Sequence, residues 1–574
     1  MLKGISTSAH QLISTSTHQQ ITKSTSQPPP SVQPFSKYTI PLIFGAATIV
    51  YIFGLFINVM DVDAAQYASI SREMMDNDSY LQVLHRGHDY LDKPPLLFWL
   101  SAISFQLFGI SNAAYKLPTF LFTLLGVYST YRIGNLLYNR NTGIVASVIL
   151  YTTQAFFLFN NDVRTDALLT ANVAFACWQL LEFSNSKKWT HLLLGFAGVA
   201  LAMMAKGPIG AVVPAAALVS HFIYSRALNK LLWWQWFAGI VFALLLQLPM
   251  LYGLQQQYGS EGPLFFLWTQ SFGRITGENV WHNDAGPFFF IHNFFWSFLP
   301  WTLLATLAIL LLIFQLIKGR FGSKAIPEAF TLGGFLLPFI ALSMSHYKLP
   351  HYIFVVYPLC AVMTAGFICR EDSRYQHIFK WLRTIQLIIS VIVVSGAVFL
   401  SSYIFPTQNF VLWTIVLLFL VTVIYFFLSP KSALEQLIAP SAIAIIAVNF
   451  LFSMHVYPSL LKYQFGSEMA TIVKQENIPT DQLYFYKCYS HSFEFYAQTI
   501  VPPVHENELT KLKQSGKNFW VIGGEDLLTE LKRERLQPLQ QFSVNDYSVS
   551  LLTITFLNPE TRRQVVRKMY LCKL

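Results

Sequence analysis

Charge is scarce in this sequence. Asp, Glu, Lys and Arg make up only 12% of its 574 residues, against about 25% in soluble globular proteins, which argues against an ordinary water-soluble chain. Cysteine is rarer still. The five cysteines form no close-spaced metal motif. Cys177, Cys360 and Cys369 sit in or at the end of apolar runs, where a thiol behaves as a small buried hydrophobe. Cys488 and Cys572 share the last segment and are able to pair if it faces an oxidising compartment. No cleavable signal peptide is expected, because the first apolar run starts near Tyr38 and already has full span length. The net charge of +10 does not point to nucleic acid, since much of the Lys and Arg falls in short loops between apolar runs.

Apolar residues take the place of the missing charge. They make up 54% of the chain, Phe alone occurring 50 times. Hydrocarbon cannot hydrogen-bond an exposed backbone, so long apolar runs must be helices or a closed barrel, and runs without alternation favour helices. Hydropathy predicts a polytopic α-helical membrane protein with about thirteen transmembrane helices between residues 39 and 454. The shorter Pro95–Gly109 stretch reads as an interfacial helix. This choice keeps Arg132, Arg140, Lys187, Lys188, Arg226, Lys230, Lys318, Arg320, Lys324, Arg370, Arg374, Lys380, Arg383 and Lys431 on the inside. Fewer cations remain outside, among them Arg72, Arg86, Lys93, Lys116, Arg164, Lys206, Arg274 and Lys348.

Three regions follow. Residues 1–37 are rich in Ser, Thr, Gln and Pro and lack an apolar stripe, so a disordered cytoplasmic tail is expected. Residues 38–455 form the transmembrane region, with a first outer loop at 61–114. Residues 456–574 alternate strand-like runs (Gln482–Cys488, Phe519–Ile522, Ser548–Phe556) with polar helical ones, which predicts a small α/β extracytoplasmic domain.

The polar chemistry gathers at the outer ends of the spans. Asp61 and Asp63 open the first loop, and Asp92 and Lys93 close it. A pair of aspartates after a span is commonly just a solvated stop, but here the flanks are Met, Val, Ala and Tyr. Acidic groups at such an interface need partners, which suggests a site. Asp162 and Asp166 would share a face if both stood on a helix start; helix capping is the plainer explanation and accounts for one of them. Lys93, Lys206, Arg274 and Lys348 stand at the same water face. Singly, each reads as a snorkelling cation; together they would suit a phosphate at the membrane surface.

The pattern Asp63-x-x-Gln66-Tyr67-Ala68-x-Ile70-x-Arg72-Glu73-Met74, followed by Tyr90-x-Asp92-Lys93-Pro94, Phe108-Gly109 and Lys206-Gly207-Pro208, resembles the bacterial ArnT-like branch of the protein O-mannosyltransferase superfamily. The similarity runs from about residue 40 to 370. It implies a GT-C fold and a membrane glycosyltransferase that moves a sugar from a polyprenyl (undecaprenyl) phosphate donor to a lipid A-like glycolipid or a protein. It also implies a bacterial inner-membrane location, with the amino terminus cytoplasmic and residues 456–574 periplasmic. Carried over residue by residue, it makes Asp63 the first-loop catalytic aspartate and Asp166 the second acidic residue, with Asp162 as its competitor. Lys93 and Tyr90 become lipid-phosphate contacts, Lys206 a further one, with Arg274, Lys348 and Gln66 as candidates. A divalent metal ion stays open: Asp92 stands where relatives have a metal-holding Glu, and His282 follows a Gln270-Ser271 stretch without His. Ala64 and Gln66 depart from the family's Glu and Arg, so donor recognition must lean on Lys93 and the other cations. Two other readings are a transporter or flippase of lipid-linked sugars, which would carry its charges near mid-span, and a catalytically inactive relative.

Overall fold

The computed structural model describes residues 35–270, 273, 283, 285–317, 327–370, 376–429, 432–514, 516 and 518–574. Ten helices lead from the amino terminus to the middle of the chain: α1 (Thr39–Leu55), α2 (Asp63–Asp76), α3 (Leu96–Phe108), α4 (Asn112–Leu137), α5 (Arg140–Tyr151), α6 (Gln154–Asn161), α7 (Thr165–Ser186), α8 (Trp189–Lys206), α9 (Ile209–Tyr224) and α10 (Gln235–Tyr258). Local chemistry sets several of their ends. Ser111 starts α4 by accepting from Ala114 N at 3.2 Å, and Asn139 starts α5 by accepting from Thr142 N at 2.9 Å. Gly207, at φ +81°, ends α8 in a conformation that a side chain would strain.

Lipid offers little hydrophobic drive between helices, so close packing has to join them. Small residues permit it: a Cβ on Gly198 of α8 would stand 3.1 Å from Ala176 N of α7, and one on Gly126 of α4 would stand 3.2 Å from Ala171 Cα. Tyr51 of α1 stacks on Phe157 with ring centroids 4.5 Å apart and donates to the Tyr151 carbonyl at 2.9 Å. Lys116, fully buried, donates to the carbonyls of Gly54 and Ile57 at the end of α1, where a cation complements the helix dipole. It is therefore a structural cation rather than a surface one.

The expectation of about thirteen spans is overturned. Among the described residues, seven helices are long and apolar enough to cross a membrane, or eight if the pair α5–α6, bent by 50°, counts as one. Hydropathy counts apolar residues but does not see helix continuity. The run at 143–160 breaks at Thr152–Thr153, and the run at 287–315 divides into Phe289–Ser297 and Thr302–Ile317. Helices α1 and α9 are apolar but have only 17 and 16 residues.

The expected small α/β extracytoplasmic domain also needs correction. After a short antiparallel hairpin in the first loop, β1 (Leu84–His85) with β2 (His88–Asp89), the remaining strands are β3 (Leu483–Tyr486), β4 (Trp520–Gly523), β5 (Gln540–Asp546) and β6 (Arg567–Lys573). They form a small open sheet of order β3-β4-β6-β5, with only β3 and β4 parallel. The Ser548–Phe556 run is not a strand, and β5 is an exposed polar edge whose apolar signal is too weak to read. Nor does the segment stand apart. Phe495 is buried in the same core as the helical region, between Phe105 of α3 (6.0 Å) and Tyr115 of α4 (6.3 Å). All five cysteines are free thiols, Cys488 and Cys572 included.

Candidate active site

The ends of α2, α6, α7 and α8 carry the polar residues singled out in the sequence. Asp63 is the first residue of α2, where a carboxylate complements the helix dipole. Its Oδ2 forms an ion pair with Arg164 Nη1, and Arg164 Nε donates to Asp162 Oδ2 at 2.9 Å. Arg164 is thus a fork between two carboxylates from opposite sides of the site. Burial alone would lower its guanidinium pKa, but Asp162 and Asp63 outweigh that and leave it raised. The Asp63 side chain retains 38% exposure, so water and a hydroxyl-bearing molecule reach it.

Asp162 and Asp166 do not share one helix face. Asp162 follows the last residue of α6, while Asp166 lies in the first turn of α7. Asp166 is 3% exposed; its Oδ1 accepts from Lys206 Nζ at 2.5 Å, and its Oδ2 lies 3.6 Å from His351 Nε2. Lys206 also stands 3.9 Å from the centroid of the Tyr352 ring. The 3₁₀ turn Pro350–Val356 delivers both His351 and Tyr352. Neither aspartate supplies a side-chain cap to α7, whose capping residue is Arg164.

Lys93 lies at the far end of the first loop and contacts Asp92 Oδ2 at 2.6 Å. The Gln270 side-chain amide donates to the Asp92 carbonyl. Tyr90 packs edge-on against Phe98, which also meets Tyr67 of α2. Burial pushes the Tyr90 phenol well above its ordinary value, and the charges of Asp92 and Asp63 add to the effect, so both ends of the loop act on this ring. Gln66 follows Asp63 by three residues along α2, on the same side of the helix. Lys348 is engaged elsewhere, donating to the Ala285 carbonyl at 2.7 Å, while its backbone pairs with Asn283. Arg274 and His282 lie outside the described residues.

Among the described residues, no group of three or more His, Cys, Asp or Glu is placed to hold an ion. Asp92 has an ammonium at contact distance, which competes with a cation for the same oxygen.

The carboxyl-terminal segment reaches the head of α2. The Asp61 carboxylate accepts from Ser492 N at 3.0 Å and from the hydroxyls of Ser492 and Ser490 at 2.5 and 3.2 Å. Asp61 N donates to Gln464 at 2.8 Å. Burial pushes the Asp61 carboxyl up to about 6, against the lowering effect of those hydrogen bonds. Further along α2, Glu73 accepts from the backbone N–H groups of Arg86 and Gly87, the turn of the hairpin, at 2.7 and 2.6 Å. Arg86 then extends to Glu494 at 3.2 Å and to the Val501 carbonyl at 2.7 Å. The loop bearing Asp63 is therefore held from both ends by residues 464–501.

Sequence reading left three site residues without a role: Arg164, His351 and Tyr352. Arg164 had a readable signal, a cation inside an acidic hexapeptide on the cation-poor side. His351 and Tyr352 had none, because the turn that brings them to Asp166 is set by tertiary packing.

With this geometry in place, known proteins offer a direct comparison. The family described as dolichyl-phosphate-mannose-protein mannosyltransferase matches residues 92–252. The crystal structure of ArnT from Cupriavidus metallidurans bound to undecaprenyl phosphate superposes with a TM-score of 0.71 at 17% identity, covering 94% of this chain and 98% of that one. Its apo form gives 0.69 at 18% identity, over 93% and 97%. The chain therefore has the fold of ArnT. The undecaprenyl phosphate-alpha-4-amino-4-deoxy-L-arabinose arabinosyl transferase of Shewanella sediminis is 28% identical over 324 residues, 54% of this chain and 56% of that one. The corresponding enzyme of Yersinia enterocolitica is 28% identical over 339 residues, 58% and 59% of the two chains. The chain matches little more than half the length of these arabinosyl transferases. An uncharacterized protein of Aquifex aeolicus aligns further, 23% identical over 479 residues and 87% of its length. This ArnT-like chain is a multi-pass membrane protein.

Proposed function

We propose that this ArnT-like chain is a glycosyltransferase that moves a sugar from a polyprenyl (undecaprenyl) phosphate donor to a lipid A-like glycolipid or a protein hydroxyl. The observation that carries the reading is the Asp63–Arg164–Asp162 fork where the ends of α2, α6 and α7 meet, with Lys206 paired to Asp166 in the first turn of α7 and Lys93 to Asp92 at the far end of the first loop. Its charges stand at helix ends, which supports surface transfer over passage of a lipid-linked sugar through mid-span.

In this reading Asp63 accepts the proton of the acceptor hydroxyl as that oxygen attacks the anomeric carbon of the donor sugar. The new carbon–oxygen bond forms as the bond to the phosphate oxygen breaks, with inversion, and the electron pair leaves on the phosphate. Lys93 and Lys206, with Arg274 as a further candidate, neutralise that charge, so the leaving group needs no general acid. Tyr90 and Gln66 line the donor side. Asp162 and Asp166 keep Arg164, Lys206 and His351 in position.

Residues 38–455 would form the transferase region, with the site on the periplasmic face of a bacterial inner membrane. Residues 1–37 would be cytoplasmic, and residues 456–574 periplasmic and braced against the first loop. Incubating purified protein with a panel of polyprenyl-phosphate sugars and either lipid A or protein acceptors tests the proposal. Product should form for at least one donor, and Asp63→Asn should abolish it while expression stays intact. Normal turnover by that variant would remove Asp63 from the role of base.

A further inference from the structure

A second charged region lies far from the site. Helix α4 begins beside the end of α1, where Asn112 donates to Asn58 at 3.2 Å, and runs for 26 residues. At 1.5 Å per residue its far end is roughly 39 Å away. The helix Tyr357–Ile368 likewise starts just after His351 and Tyr352 and points the same way. Where these two helices end, a groove of about 450 Å³ opens between Asn139, the end of Tyr357–Ile368, and the starts of the helices Gln376–Phe399 and Ala433–Leu451.

Its lining combines two chemistries. Arg370, Lys380 and Arg383 supply three cations, and Ile368, Phe379 and Leu434 supply an apolar wall. Arg370 meets Glu328 at 2.9 Å, while Arg383 donates to Gln436 and lies 5.1 Å from the Phe427 ring centroid. Among the described residues, Glu328 is the one carboxylate in contact with these three cations. A second observation says what the groove faces. On the same helix as Lys380 and Arg383, Trp381, Ile385 and Ile388 are 72%, 39% and 53% exposed. In a membrane protein such a face looks into lipid, and a Trp at its end marks the headgroup level. The cations therefore stand where lipid phosphates lie, beside an apolar surface suited to acyl chains.

We propose that this groove binds an anionic phospholipid of the leaflet opposite the transfer site. Lys380, Arg383 and Arg370 hold the phosphate, and an acyl chain runs along Phe379, Leu434 and Ile368. Basic pockets between membrane helices recognise anionic headgroups by this combination of charge and apolar contact. The bound lipid would bridge three helices that come together at this end of the molecule.

Native mass spectrometry of the full chain tests the proposal, with phosphatidylglycerol and phosphatidylcholine titrated separately. Phosphatidylglycerol should be retained in preference, and the preference should weaken as ammonium acetate concentration rises. Each removed cation should weaken retention about fivefold, so Lys380→Ala costs about fivefold and Lys380→Ala with Arg383→Ala about twenty- to thirtyfold. Lys380 is exposed, so Lys380→Ala keeps the test meaningful if the double variant fails to fold. Equal retention of the two lipids by the natural chain would overturn the proposal. So would phosphatidylglycerol retention unchanged in Lys380→Ala, or displacement of the lipid by an equal concentration of inorganic phosphate.

Discussion

Arg164→Ala separates the proposed chemistry from the fold more sharply than any other single change. The guanidinium holds Asp63 on one side and Asp162, at 2.9 Å, on the other. A hydrogen bond to a charged group contributes about 1.5–3 kcal/mol when shielded from water. Solvent screens the half that faces the 38%-exposed Asp63, which reduces that bond to about 1 kcal/mol; the Asp162 bond keeps about 2 kcal/mol. Losing both costs up to about 3 kcal/mol, roughly a hundredfold in rate if the whole is felt at the transition state. Steady-state transfer in lipid nanodiscs should then show kcat reduced between tenfold and a hundredfold, with donor KM changed less than twofold. Arg164→Lys keeps the charge without the fork and should fall between. If Arg164→Ala is folded and its kcat lies within threefold of the natural chain, the fork does not position the base. A large rise in donor KM with kcat unchanged would instead make Arg164 a phosphate contact.

Three further outcomes follow from the same geometry. Lys206→Met leaves Asp166 buried beside His351 without its ammonium, a change that typically costs about 3–5 kcal/mol; thermal unfolding should show the loss, and adding Asp166→Asn should restore stability without restoring transfer. Asp61 is held up at about 6 by burial, so the folded chain binds more protons than the unfolded one from pH 4 to 6, and its stability falls as pH rises through that window. The effect is at most about 3 kcal/mol; in hydrogen exchange at residues 490–497, Asp61→Asn should flatten this slope, and an unchanged slope would assign it to another group. Gln66→Arg adds a cation three residues along α2 from Asp63 and should lower donor KM about fivefold at low salt, the gain shrinking as salt is added.

Asp63, Lys93, Lys206 and Asp166 were legible because each stands in a short local pattern at the water end of an apolar run. Their pairing was not. Lys206 finds Asp166 across the α7–α8 contact, and His351 reaches it from a distant turn, so no local spacing encodes either partner. The grip of Ser492 on Asp61 spans 431 residues of sequence and has no local signature. The helical membrane character was legible from composition, whereas the number of spans was not. Breaks such as Thr152–Thr153 and Gly207 interrupt helices without lowering the apolar count, and apolar helices of 16 or 17 residues resemble spans in any hydropathy window. In the last segment, β3 and β4 are buried and apolar and could be read, while the polar edge β5 and its partner β6 could not.

The most direct measurement is transfer from synthetic polyprenyl-phosphate sugars by the purified chain in lipid, beside Asp63→Asn and Lys93→Ala. The account predicts product or donor hydrolysis with the natural chain and loss of both in either variant, with folding intact. Normal turnover by Asp63→Asn, or no reaction from the folded natural chain across a broad donor panel, would contradict it.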